Sequence, residues 1–69
     1  MLRKRSFNIA GHKTSVALEP EFWAVLEGEA ARGKKSLSGF VAEIDSKRGE
    51  RPLASALRLR ALAAARNAP

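Results

Sequence analysis

A short run, Lys13-Thr14-Ser15-Val16-Ala17-Leu18, alternates residue by residue and stops at Glu19-Pro20. Read as a strand, it sets Thr14, Val16 and Leu18 on one face and Lys13, Ser15 and Ala17 on the other. The first face is mostly apolar. The second is small and polar and carries one cation. A single strand with one apolar face is not stable alone, and this chain offers few segments to pair with it. The reading that follows is a strand that pairs with its twin in a second copy of the chain.

Size points the same way. Sixty-nine residues make one domain at most, and 13 of the 31 hydrophobic residues are alanine, so few side chains remain to fill a core. There is no cysteine, which removes a disulfide framework and a thiolate zinc site. Oligomerisation is the remaining way to enlarge the core.

The net charge of +6 is unevenly spread. Residues 1–13 hold Arg3, Lys4, Arg5 and Lys13 and no acid. Residues 14–33 hold Glu19, Glu21, Glu27 and Glu29 against Arg32, and residues 52–69 add Arg58, Arg60 and Arg66 with no acid. Basic ends around an acidic middle fit a polyanion-binding face better than uniform basicity would. No apolar run approaches the roughly 20 residues of a membrane span, and the basic start lacks the apolar stretch of a secretory signal. The expected compartment is the cytoplasm, with no membrane partner.

Residues 1–5 read as a basic arm. Ser6-Phe7-Asn8-Ile9 alternates again, and Ala10-Gly11-His12 separates it from the principal strand. Two readings stand side by side: a hairpin that brings Phe7 and Ile9 near Val16 and Thr14, or an arm that stays loose until a ligand orders it. Pro20 at a first helical position, with Glu19 and Glu21 at the positive end of the helix dipole, opens a first helix. Phe22, Trp23, Leu26 and Ala30 fall on one side of it, Gly28 weakens it, and Gly33-Lys34-Lys35 ends it. Ser36 or Ser38 can cap a second helix, in which Leu37, Phe40, Val41 and Ile44 form the cleanest amphipathic stripe of the chain. It should fade at Ser46-Lys47-Arg48-Gly49. After Glu50-Arg51-Pro52, Leu53 to about Arg66 reads as a third helix with Leu53, Leu57, Ala61 and Ala64 on one stripe and Leu59 and Leu62 off it. That surplus apolar surface leaves residues 53–66 free to meet a protein partner. Asn67-Ala68-Pro69 should fray.

Strand, helix, Gly-containing turn and Ser-started helix follow one another within residues 13–46. This stretch resembles a ribbon–helix–helix domain. The matching residues are Thr14-Ser15-Val16-Ala17-Leu18 as ribbon, Pro20–Arg32 as first helix, Gly33–Ser36 as turn, and Ser38-Gly39-Phe40-Val41-Ala42-Glu43-Ile44 in the second helix. The longer stretch Arg5–Val16 resembles a subgroup of short bacterial members with an N-terminal extension and a C-terminal helix. The resemblance implies a mostly α fold with a short N-terminal β-ribbon in an intertwined homodimer. Residues 1–12 would be a basic arm or extra strand, 13–48 the ribbon–helix–helix domain, and 49–69 an added helix.

In such domains paired ribbons enter the major groove of double-stranded DNA. By resemblance, Lys13, Ser15 and Ala17 face the bases, as donor to guanine, donor or acceptor, and methyl contact respectively. Arg3, Lys4, Arg5, Lys34 and Lys35, with Leu37 and Ser38 at the start of the second helix, meet phosphates. Val16, Leu18, Phe22, Trp23, Leu26, Phe40, Val41 and Ile44 build the dimer core. Two departures stand out. Glu29 occupies a place usually aliphatic, which implies a rotated helix or a missing core interaction, and the base-facing set is short of long polar side chains.

Other chemistry is thin. His12, the one histidine, sits beside Gly11 and reads as a turn residue, with no second metal-type ligand at useful spacing. No serine has a nearby base pattern, and no glycine-rich loop carries the GK[ST] of a phosphate cradle. The expectation is a DNA-binding homodimer without catalytic residues, metal or cofactor. It would be a transcriptional regulator, most simply a repressor. The alternatives are an antitoxin whose third helix binds a toxin, or an interaction module without DNA binding.

Overall fold

An antiparallel hairpin forms the N-terminal part of the chain, and three helices cover one of its faces. In the computed structural model, which describes residues 1–67, the hairpin is made of β1 (Arg3–Ile9) and β2 (His12–Leu18). The helices are α1 (Pro20–Arg32), α2 (Leu37–Lys47) and α3 (Leu53–Arg66). This is the expected order of a short ribbon and helices with an added C-terminal helix. The expectation for Ala68-Pro69 lies outside the described residues.

The principal strand has a partner within its own chain, so of the two readings of residues 6–12 the hairpin is the one that forms. β1 supplies that partner along its whole length, from Arg3 opposite Leu18 to Ile9 opposite His12. Arg3 and Arg5 conceal this strand in the sequence, because they occupy positions where alternation calls for apolar residues. Arg5 is accommodated there by lying 5.2 Å over the Trp23 ring and pairing with Glu27 at 3.0 Å.

Phe7, Ile9, Val16 and Leu18 point inward and meet Trp23, Leu26 and Ala30 of α1, Phe40 and Val41 of α2, and Leu53, Leu57 and Ala61 of α3. Phe7 and Trp23 pack with ring centroids 6.0 Å apart and planes tilted by 41°, a separation within the range of interacting aromatic pairs. Of the eight residues expected in the core, six are buried within the single protomer, and Phe22 and Ile44 are partly buried against it. Arg58 covers Phe22 at 6.0 Å and donates from Nε to Glu19 Oε1 at 3.2 Å, clasping α3 to the start of α1. The backbone N–H of Glu19 and the Arg58 guanidinium together hold the Glu19 carboxyl below the ordinary carboxylate range.

The ends of the helices follow from local chemistry. α1 starts at Pro20 without a side-chain cap, and its buried stripe is Trp23, Leu26 and Ala30. Glu29 flanks that stripe with its side chain 19% exposed and pairs with Arg32 at 3.1 Å. At the exit, Gly33 has an ordinary negative φ, and the left-handed residue is Lys34, with φ 58°. The N–H groups of Lys34 and Lys35 donate back to Ala31 and Ala30, closing the helix as a glycine at that place normally would. Ser36 caps α2, its Oγ accepting from the Gly39 N–H at 3.0 Å. α3 buries Leu53, Ala56, Leu57 and Ala61 and leaves Leu59 and Leu62 exposed, in line with the stripe read from sequence.

Candidate nucleic-acid interface

Ala10 and Gly11, with φ of 52° and 81°, form a two-residue loop between β1 and β2. Two left-handed residues in succession define the mirror-image turn whose twist suits a hairpin. Sequence alone suggests a connection of three residues. Counting two instead places Phe7 opposite Thr14 and Ile9 opposite His12.

That one-residue difference decides what lies on the outer face. Lys4 sits opposite Ala17, Ser6 opposite Ser15, and Asn8 opposite Lys13. All six point away from the helices; five are exposed and Ala17 is half-buried. Lys13, Ser15 and Ala17 therefore share one surface, as expected, and Lys4, Ser6 and Asn8 join them. Ser6 and Asn8 are absent from the residues expected there, although a two-residue Ala-Gly loop would have found them. The Ser6 and Ser15 hydroxyls are 2.9 Å apart, a hydrogen bond across the strands. No acid occurs before Glu19, so the face carries two ammonium groups and no carboxylate.

The turn also fixes the direction of the backbone groups. A two-residue loop is closed by a hydrogen-bonded pair, here Ile9 and His12, and such pairs alternate with non-bonded ones along an antiparallel ladder. Lys13, Ser15 and Ala17 thus fall at non-bonded positions, with their N–H and C=O groups turned away from β1. They lie along the other edge of β2, which pairs with no strand among the described residues.

The remaining candidates separate into two groups. Arg3 and Arg5 alternate onto the inner face, opposite to Lys13. The Arg3 carbonyl accepts from the Trp23 indole N–H at 2.8 Å, and Arg5 is held by Glu27 and Trp23. Lys34, Lys35, Leu37 and Ser38 sit at the turn into α2. The first-turn N–H groups of Leu37 and Ser38 have no carbonyl a turn earlier to bond, whereas Gly39's is taken by Ser36. Lys35 pairs with Glu43, and that hydrogen bond and charge lower the Glu43 pKa. Among the described residues, no group of three metal-ligating side chains is gathered, and no helix is long and apolar enough to cross a membrane.

A family model described as a ribbon–helix–helix domain matches residues 2–65. The chain belongs to the ribbon–helix–helix family. No curated protein and no solved structure gave a match. Ribbon–helix–helix domains are generally DNA-binding regulators or antitoxins. Within this ribbon–helix–helix chain, the match takes in both strands of the hairpin and all three helices.

Proposed function

We propose that the protein is a homodimeric, sequence-dependent DNA-binding regulator of transcription, most simply a repressor acting in the cytoplasm. The observation that carries the reading is the acid-free outer face of the hairpin in a chain of this family. Two copies of β2 pair through their free edges and enter the major groove together, a width that the groove admits. Lys13 donates to guanine, Ser15 donates or accepts, and Ala17 meets a thymine methyl. Lys4, Lys34, Lys35 and the first turn of α2 hold phosphates. Pairing through that edge also adds the apolar burial that a chain of this size needs.

The test begins with selection of bound fragments from a genomic library by the purified protein. Lys13→Ala should then cost about 1–3 kcal/mol on the selected site and much less on a scrambled duplex. Lys34→Ala should weaken both duplexes alike. Equal weakening on both duplexes for Lys13→Ala would remove β2 from the groove. Sedimentation of Val16→Lys should show loss of the dimer together with loss of fold, because that side chain is buried.

The exposed pair Leu59 and Leu62, 45% and 50% accessible on α3, supports a second reading. These leucines give residues 53–66 an apolar surface for a toxin, with the same dimer serving as the DNA-binding half of an antitoxin.

A further inference from the structure

The free edge of β2 and the occupied one are on opposite sides of the same strand. A partner's β2 can therefore join without displacing β1, and the resulting sheet has four strands, with a β1 at each margin. Neighbouring strands lie about 4.8 Å apart, so the two outer strands are about 14 Å apart. The major groove is about 12 Å wide and takes a two-stranded ribbon. Four strands do not fit between its walls.

We infer that β1 is a groove-wall strand: Lys4 and Asn8 contact the sugar–phosphate backbones that flank the groove, and base reading stays with β2. This rests on the DNA-binding reading above. The sheet twist, roughly 20–25° between neighbours, keeps the outer strands from lying flat with the inner pair. Asn8 stands beside Lys13 at the turn end of the hairpin, and Lys4 beside Ala17 at the other. Each protomer thus sets two donors along one wall. An ammonium and a side-chain amide suit phosphate oxygens, and both are exposed on the acid-free face. Arg5 contributes nothing, because it occupies the helical side, where Glu27 and Trp23 hold it.

The experiment measures binding of Lys4→Ala, Asn8→Ala, Arg5→Ala and Lys13→Ala to selected and scrambled duplexes over a salt series, with phosphate-ethylation interference on the selected site. Lys4→Ala should lower affinity on both duplexes equally and reduce the log–log salt slope by about 0.9 for each phosphate no longer neutralised, with one such phosphate per protomer. Asn8→Ala should lower affinity about two- to tenfold on both, with the slope unchanged, since it is neutral. Interference at the phosphates flanking the site should disappear in these two variants and persist in Lys13→Ala. Arg5→Ala should leave the slope at its wild-type value. A change in preferred sequence for Asn8→Ala would make β1 a base reader and overturn the inference. Unaltered affinity and interference in both Lys4→Ala and Asn8→Ala would overturn it too. Failure of the wild-type protein to bind any duplex at low salt would instead remove the DNA-binding reading on which it rests.

Discussion

The indole N–H of Trp23 donates to the carbonyl oxygen of Arg3 at 2.8 Å, joining α1 to β1 across 20 positions of sequence. Trp23 is almost fully buried and also touches Phe7 and Arg5, so one side chain fixes three residues of β1. Trp23→Phe removes the donor, leaving the Arg3 carbonyl without this partner. Removal of the bond and of part of the ring should cost about 1–3 kcal/mol. Hydrogen exchange should speed up first in residues 3–7, and only later in β2. Uniform acceleration over the whole chain would mean that β1 has no independent opening.

Ala10 occupies the first left-handed position of the hairpin loop, a backbone region that costs an L-residue with a Cβ roughly 1–2 kcal/mol. Asparagine tolerates it better, and Asn-Gly is the favoured pair for this turn. Ala10→Asn should therefore stabilise the protein by about 0.5–1 kcal/mol. Thermal unfolding should show the midpoint rising by several degrees, as expected for a domain of this size. The outer face is unchanged by this substitution, so DNA affinity should stay within about twofold of the wild-type value.

Glu43 restrains Lys35 at the turn into α2. Lys35 lowers the Glu43 pKa through its hydrogen bond and its charge, so the pair stabilises the fold above the ordinary glutamate pKa. That contribution is lost as pH falls through the lowered value. Glu43→Gln should remove this segment of the acid-side stability profile. It should also free Lys35 for phosphate, raising affinity at low salt and steepening the salt slope by up to about 0.9 per protomer. Titration of both proteins over a salt series checks the second point, and acid unfolding checks the first.

Leu57 and Leu59 lie two positions apart on α3, one fully buried and the other 45% accessible. Leu57→Asp buries a charge without a partner and should unfold the domain. Leu59→Asp should change stability by no more than about 0.5 kcal/mol and leave DNA binding intact. It should abolish any partner binding made through α3. Circular dichroism melts of the two variants, followed by a DNA titration of Leu59→Asp, separate these outcomes.

Much of the fold is legible because it is written in short-range patterns. The alternation of Lys13–Leu18, Pro20 at a helix start, and the stripe of Leu37, Phe40, Val41 and Ile44 each depend on neighbours within two turns. The family follows from their order. β1 is harder to read, because Arg3 and Arg5 interrupt its alternation. What makes Arg5 acceptable, Trp23 and Glu27, lies far along the chain in the first helix. Only half of the outer face is legible for the same reason: Ser6 and Asn8 acquire their positions only from the register set by Ala10-Gly11. The exit of α1 falls at Gly33-Lys34-Lys35 as expected, with the left-handed residue at Lys34.

The separation of charge between the hairpin and α1 also has a kinetic side. The strands carry only cations up to Lys13, while Glu21, Glu27 and Glu29 lie on the helix behind them. A molecule arranged in this way has a dipole, and a polyanion exerts a torque on it before any atoms meet. On the DNA-binding reading proposed above, the hairpin would be turned forward during diffusion, which shortens the orientational search that otherwise holds association to about 10⁵–10⁷ M⁻¹s⁻¹. On that reading, glutamates on the helix behind the strands would help set how often a collision arrives with the hairpin in front.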